Sequence, residues 1–230
     1  MEYDNPLFWE FRYFIQKNTF DWYFNFETLY QFTSEFWNKD FEVLHVGCGT
    51  SSLTEDMIKF GIKKVVNIDI SKVLIKNLKE TYKNDSRLEF FAMDVKKMIF
   101  KDETFDLIID KGTLDSLICG KLGEENVFEM MSEIYRVLKS KKYFILVTHQ
   151  PAENLNENLN EDLNEDLNED LNEDLNEDLN KNLNEDLNED LNENLNEDLN
   201  KDLNEDLNED LNEDLNENQK IPIIYILIKN

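Results

Sequence analysis

Eight residues, Val43-Leu44-His45-Val46-Gly47-Cys48-Gly49-Thr50, constrain this chain more than any other stretch. A short apolar run, Phe41 to Val46, breaks into Gly-Cys-Gly and then into a helical pattern from Ser52 to Phe60. A β-rich run, Val65-Val66-Asn67-Ile68, follows and ends on Asp69. Strand, tight turn, helix, strand and then an acid, about 20 residues after the glycines, is the layout of a nucleotide-binding βαβ unit. Glycines let the backbone turn sharply and meet a ligand with no Cβ in the way. An acid at the tip of the second strand can accept both hydroxyl protons of a ribose. The turn reads Gly-Cys-Gly-Thr-Ser-Ser, without the third glycine that the dinucleotide fingerprint uses for close helix packing. The pattern leans toward an adenosine ligand that carries no pyrophosphate, of which S-adenosylmethionine is the common one.

The rest of the chain continues the alternation. Ser71 can cap a helix through Val73, Leu74, Leu78 and Tyr82. Leu88–Ala92 reads as a third strand ending Met93-Asp94-Val95, and Phe105–Ile109 as a fourth ending Asp110-Lys111-Gly112-Thr113. Asn126–Leu138 has helical periodicity, and Tyr143–Val147 reads as a fifth strand. Such alternation predicts an α/β fold, a parallel, doubly wound sheet with helices on both faces. Its ligand crevice lies at the carboxyl ends of the strands, where Gly47, Asp69, Asp94 and Asp110 all fall. A single acid after a strand is usually a cap or a turn residue; three successive strands ending in acids point to a site.

Residues 1–39 are dense in aromatics and predict a helical cap. Trp9 and Tyr13, four apart, share a face, and Phe26, Leu29, Tyr30 and Thr33 form a second stripe. Trp9, Tyr13 and Phe20 are too large to be left together at the surface. They either pack the cap on a sheet edge or form a lid over a cofactor, where ring faces suit an adenine or a sulfonium cation.

The formal charge is −27, but Glu153–Glu217 holds 27 acids against two lysines, so this tract carries −25 and the remainder only −2. No basic stripe suggests nucleic acid, and no run of apolar residues approaches a membrane span. No secretory leader is evident, so Cys48 and Cys119 are expected reduced, in a cytoplasmic protein. His45 and His149 have no ligand-spaced partners, so no metal is expected. The tract repeats Leu-Asn-Glu-Asp every four residues, which on a helix overshoots one turn by about 40° and winds the leucines around the rod. Like charges then stack at i,i+4, so a solvated, expanded segment is expected. Ile221–Ile228 is too apolar for a tail and reads as a strand rejoining the core. The expected division is therefore 1–39 cap, 40–150 core, 151–219 acidic low-complexity insertion and 220–230 final strand.

With these residues in place, the chain resembles the class I S-adenosylmethionine-dependent methyltransferases, and within them the lysine methyltransferases of translation elongation factor 1-alpha. The resemblance rests on Trp9-Glu10 with Phe20-Asp21-Trp22-Tyr23, on Gly47-Cys48-Gly49 with Ser51, on Val66–Ser71 and on Met93-Asp94-Val95. Asp110-Lys111-Gly112-Thr113-Leu114-Asp115 is its most specific element. It implies a Rossmann-like seven-strand sheet, here with an edge strand missing, and S-adenosylmethionine as cofactor. It also implies that Trp9, Tyr13 and Trp22 line the cofactor site, and that Gly47 and Gly49 pass under the methionine moiety. Asp69 would take the ribose hydroxyls with Ile70 against the adenine, Asp94 the adenine amino group with Val95 beside it, and Lys111 would close the site near the methyl donor.

The expected reaction is methyl transfer to a lysine ε-amine of a protein, elongation factor 1-alpha or one similar. Asp110 is the candidate carboxylate for orienting the acceptor, and Asp115 the reserve. Two rivals share the cofactor site: a methyltransferase for a small molecule or another protein, and an inactive binding module. His45, where many methyltransferases place an acid, reads as a core or cofactor-adjacent imidazole.

Overall fold

The computed structural model describes residues 3–16, 18–151 and 222–229. The elements run α1 (Pro6–Ile15), α2 (Phe26–Thr33), β1 (Glu42–Val46), α3 (Leu53–Phe60), β2 (Lys64–Asp69), α4 (Lys72–Thr81) and β3 (Leu88–Ala92). They continue with β4 (Phe105–Lys111), α5 (Thr113–Ile118), α6 (Gly123–Val137), β5 (Leu138–Thr148) and β6 (Ile223–Ile228). All of these elements belong to one compact unit. The expected insertion over 151–219 lies outside the described residues, Pro151 excepted.

The sheet has six strands in the order β3-β2-β1-β4-β5-β6. Neighbours from β3 to β5 pair in parallel, and the order in which strands are added reverses between β1 and β4, which opens a crevice at their carboxyl ends. The final strand β6, whose direction the sequence left open, runs antiparallel to β5. The reason is the connection: Thr148 ends β5 and pairs with Ile223 at the start of β6, so the chain re-enters at the end it left. Tyr225 Oη donates to the Gln150 carbonyl at 3.0 Å across the same junction.

Central strands are buried on both faces and read as unbroken apolar runs, as in Leu107–Ile109 and Phe144–Val147. Helix α6 sets Val127, Met130, Met131, Ile134 and Val137 into the main core at helical spacing. Ser71 caps α4, its hydroxyl oxygen accepting from the Leu74 amide at 3.2 Å.

The N-terminal cap is less buried than its composition suggests. No residue of α1 is fully buried, and Leu7, Phe11, Phe14 and Ile15 are exposed. Phe20 is 47% exposed, against the expectation that the rings would bury together. Helix α1 packs on α4, while α2 buries Leu29 and Thr33 and stacks Phe26 and Tyr30 beside Phe60.

Because β5 and β6 pair directly at Thr148 and Ile223, residues 152–221 should be replaceable by a short glycine-serine turn. Shortening so long a connection should leave stability unchanged or raise it by about 2 kcal/mol. Thermal melting followed by circular dichroism checks this; a large fall in Tm would show that the sheet depends on the removed residues.

Candidate functional site

Gly47 and Gly49 both lie in left-handed backbone, with φ of +55° and +52°. A Cβ on Gly47 would stand 1.9 Å from Thr113 Oγ1, so this turn needs glycine for space as well as for φ. A Cβ on Gly49 would stand 3.0 Å from Tyr13 Oη. The turn is thus pressed between the start of α5 and the ring of Tyr13.

Asp69 locks the turn to the tip of β2. Its Oδ2 accepts from the Gly49 amide at 3.0 Å and its Oδ1 from the Ser71 amide at 2.9 Å. Burial pushes this carboxyl up to about 6, against the lowering effect of those amides. Asp94, after β3, accepts from the Lys96 amide at 3.0 Å.

Two acids strap the N-terminal segment across the carboxyl ends of the strands. Glu10 Oε2 accepts from the Ser71 hydroxyl and from the Val73 amide at 3.1 Å, at the N-terminus of α4. Asp21 accepts from the Ser51 hydroxyl and, at 3.1 Å, from the Ser52 amide, at the N-terminus of α3. Asp21 Oδ1 also receives the Lys111 ammonium at 2.7 Å, which donates as well to the Trp22 carbonyl at 2.8 Å. Burial would raise the Asp21 carboxyl, but the Lys111 charge and the donated hydrogen bonds outweigh it and the net shift is downward. Burial lowers the Lys111 ammonium, and Asp21 resists that fall.

One cavity results. Gly47, Gly49, Asp69 and Ile70 line it together with Asp94, Val95 and Lys111. Trp9, Tyr13 and Trp22 line its other side, with Trp9 and Tyr13 stacked at 5.9 Å. All ten residues expected around the cofactor therefore meet at one cavity. Phe20, one of the rings offered for a lid, lines it too, while Arg12, Thr50 and Met93 also line it and were missed. Arg12 and Phe20 sit inside the aromatic signature, where ring content masked the one guanidinium.

His45 lines the cavity from below and is fully buried. Thr54 gives its hydroxyl proton to Asn67 Oδ1 at 2.6 Å, and the Asn67 amide donates to the Glu89 carbonyl. Thr54 Oγ1, 3.2 Å from His45 Nδ1, can then only accept, so Nδ1 carries the imidazole proton. Burial, helped by Lys111, drops this imidazole to about 3, and it stays neutral.

Neither acid expected to orient the acceptor lines the cavity. Asp110 caps α5: its Oδ1 accepts from the Thr113 amide at 2.8 Å and its Oδ2 from the Leu114 amide at 2.9 Å. It is fully buried, and burial raises its carboxyl to about 7. The orienting role is thereby corrected to a structural one, because both oxygens face helix amides. Asp115 ties α5 to the end of β5, its Oδ1 accepting from Thr148 Oγ1 at 2.9 Å and the His149 amide at 3.1 Å. Its Oδ2 is buried and makes no hydrogen bond of good geometry. The Tyr23 phenol is nonetheless near enough to feel this carboxylate, which adds to the upward push of burial on it. Tyr23 itself holds φ at +65°, a strained value for a bulky residue.

Among the described residues there is no metal-binding cluster and no helix long and apolar enough to cross a membrane. Cys48 lies buried in the glycine turn and Cys119 is exposed, both as free thiols.

Comparison with known proteins fits this geometry. The family described as "Methyltransferase domain" matches residues 44–146. The mouse protein named "eEF1A lysine and N-terminal methyltransferase" is 36% identical over 145 residues, 60% of this chain and 20% of that protein. These matches are what the chain is similar to. The mouse protein named "EEF1A lysine methyltransferase 4" is 26% identical over 157 residues, 64% of this chain and 62% of that one. Among solved structures, the PH0226 protein of Pyrococcus horikoshii OT3 is 30% identical, with a TM-score of 0.45, covering 54% of this chain and 56% of its own. The chain spans about a fifth of the length of the first curated relatives it matches.

The buried acids make the core sensitive to pH. Asp69 and Asp110 take up protons more readily folded than unfolded, at about 6 and about 7 against an unfolded value of about 4. Stability therefore rises as pH falls through those values. His45, neutral in the fold, opposes this as the unfolded imidazole protonates toward about 6.5 and below. Between pH 8 and 6.5 the two carboxyls outweigh the imidazole, and the net gain is on the order of 0.5 kcal/mol. Melting across that window should show Tm rising toward pH 6.5, with the rise flattened in Asp110→Asn; a flat wild-type profile would contradict the burial argument.

Proposed function

We propose that this chain is an S-adenosylmethionine-dependent protein-lysine N-methyltransferase acting on translation elongation factor 1-alpha or a similar protein. The convergence of Gly47, Asp69, Asp94 and Lys111 on one cavity carries this reading. The names of the relatives supply the acceptor class.

The donor set fits the cofactor. Each Asp69 oxygen accepts one backbone amide, and a carboxylate oxygen has a second lone pair to offer a ribose hydroxyl. The left-handed turn at Gly47 and Gly49 keeps Cβ atoms out of the cavity floor, leaving room for the methionine moiety. Asp94 and Val95 take the adenine edge, and Ile70 its face. Trp9, Tyr13 and Trp22 present ring faces suited to a sulfonium. When bound, the cofactor supplies a methyl group on that sulfonium.

The chain's own part is positioning. Lys111, neutralised by Asp21 and anchored on the Trp22 carbonyl, closes one wall and keeps water out. The incoming lysine must be an unprotonated amine, and an apolar, ring-lined wall lowers its pKa from about 10.4. Asp110 and Asp115 hold α5 and the end of β5 where that wall is built. Asp115, the reserve for orienting the acceptor, would act on that wall through its hold on the end of β5 and its neighbour Tyr23. The cytoplasm is the compartment that two unpaired thiols suit. The acidic tract is an insertion that this chemistry does not use.

Incubation with elongation factor 1-alpha and S-adenosylmethionine, followed by mass spectrometry, should find lysine peptides heavier by one or more methyl groups. Asp69→Ala should lose both transfer and calorimetric cofactor binding. Cofactor binding with an unmodified elongation factor but labelled lysate proteins would remove the acceptor and leave the reaction. No cofactor binding at all would remove both.

A further inference from the structure

The cavity holds a cation whose charge nothing described balances. Arg12 places its guanidinium carbon 5.6 Å from the centre of the Trp9 ring, 5.2 Å from Phe20 and 5.8 Å from Trp22. Among the described residues that guanidinium makes no hydrogen bond or ion pair. Ring faces engage its charge but accept none of its five N–H groups in a directed hydrogen bond. A half-buried guanidinium in that state is costly unless an anion arrives.

Its position along the sheet says which part of a ligand it meets. Asp94 follows β3 and Asp69 ends β2, and the sheet continues β1 and then β4. An adenosine with its base beside Asp94 and its ribose on Asp69 directs the amino-acid end over β1 and β4. Arg12 belongs to that end. Phe20 is tied through its amide to Thr50 Oγ1 at 3.2 Å, just past β1. The Trp22 side chain lies against Gly112, just past β4, 3.6 Å from where a Cβ would stand. The other cations lining the cavity are engaged. Lys111 is held by Asp21 and the Trp22 carbonyl. Lys96 sits at the Asp94 end and donates to Asn126 Oδ1 at 2.6 Å.

We infer that Arg12 holds the α-carboxylate of the methionyl end of S-adenosylmethionine, and that it makes the site selective for a carboxylated ligand. The inference rests on the cofactor reading above and adds a residue and a specificity to it. The carboxylate is the only anion on that ligand, and a planar guanidinium matches it with two parallel hydrogen bonds. The ring stack fixes the guanidinium before the ligand comes, so little side-chain freedom is lost on binding.

Calorimetry with S-adenosylmethionine and with its decarboxylated analogue, which keeps adenosine, sulfonium and amine, separates the possibilities. Wild type should bind the carboxylated ligand more tightly. Arg12→Gln should lose S-adenosylmethionine affinity on the order of 10- to 100-fold while holding the analogue within about twofold. Arg12→Lys, which keeps the charge but not the fork, should fall between, and it decides the matter if Arg12→Gln does not fold. Equal weakening of both ligands would make Arg12 only a prop for the aromatic lid and overturn the inference. So would a wild type with no preference between the ligands. Wild type that binds neither would overturn the cofactor reading and this inference with it, whereas tight binding of both without preference overturns only the latter.

Discussion

The Asp69 carboxylate is the point on which the site turns. It reaches from the tip of β2 to the Gly49 amide on one side and to the Ser71 amide on the other. The first bond fixes the turn after β1 in left-handed backbone, and the second fixes the entry to α4. Thr113, packed under Gly47, then sets how close α5 comes. Two strand ends and two helix starts are thereby referenced to one side chain. A buried carboxylate with two amide donors is held far more rigidly than a solvated one, and rigid placement is what methyl transfer asks of a protein.

The N-terminal segment depends on the same helix starts. With no residue of α1 fully buried, apolar burial alone does not seat it. Glu10 and Asp21 supply the seat by satisfying free amides at the N-termini of α4 and α3, where the helix dipoles favour negative charge. Asp21 also closes the ion pair with Lys111, which is 2% exposed. Removing one partner of such a pair leaves the other charge buried and uncompensated, so the strap and the β4 end stand or fall together. The cap is a roof attached by polar contacts over a working cavity, which explains why its rings are half-exposed.

Much of this was legible in the sequence, and the gaps have physical causes. The strands were readable because parallel, two-face-buried strands are apolar runs with sharp ends. That the strand-tip residues would share one cavity was readable because strand tips in such a sheet share one crevice whatever the details of packing. The direction of β6 was not readable, since an apolar run is the same forwards and backwards; only the Thr148–Ile223 pairing sets it. Asp110 was misjudged because an acid at a strand end looks alike whether it faces a ligand or the next helix. Its two bonds to the Thr113 and Leu114 amides are three- and four-residue contacts that require the turn at Gly112 to be known first. Glu10 binds a helix start 61 and 63 residues away and Asp21 one 30 and 31 residues away, and no local pattern announces such partners.

The two raised carboxyls show how stability and function divide in this core. Both Asp69 and Asp110 are harder to ionise folded than unfolded, so each weakens the fold near neutral pH. For Asp110 the return is structural and always present: a capped α5 and a fixed wall. For Asp69 the amides of Gly49 and Ser71 offset only part of the burial, and lone pairs remain aimed at the cavity. A ligand that donates hydroxyl protons there supplies the missing compensation and, by mass action, stabilises the folded chain. Without ligand, the same carboxylate is a liability. Of the two raised carboxyls, Asp69 is then the one whose cost an arriving adenosine can offset.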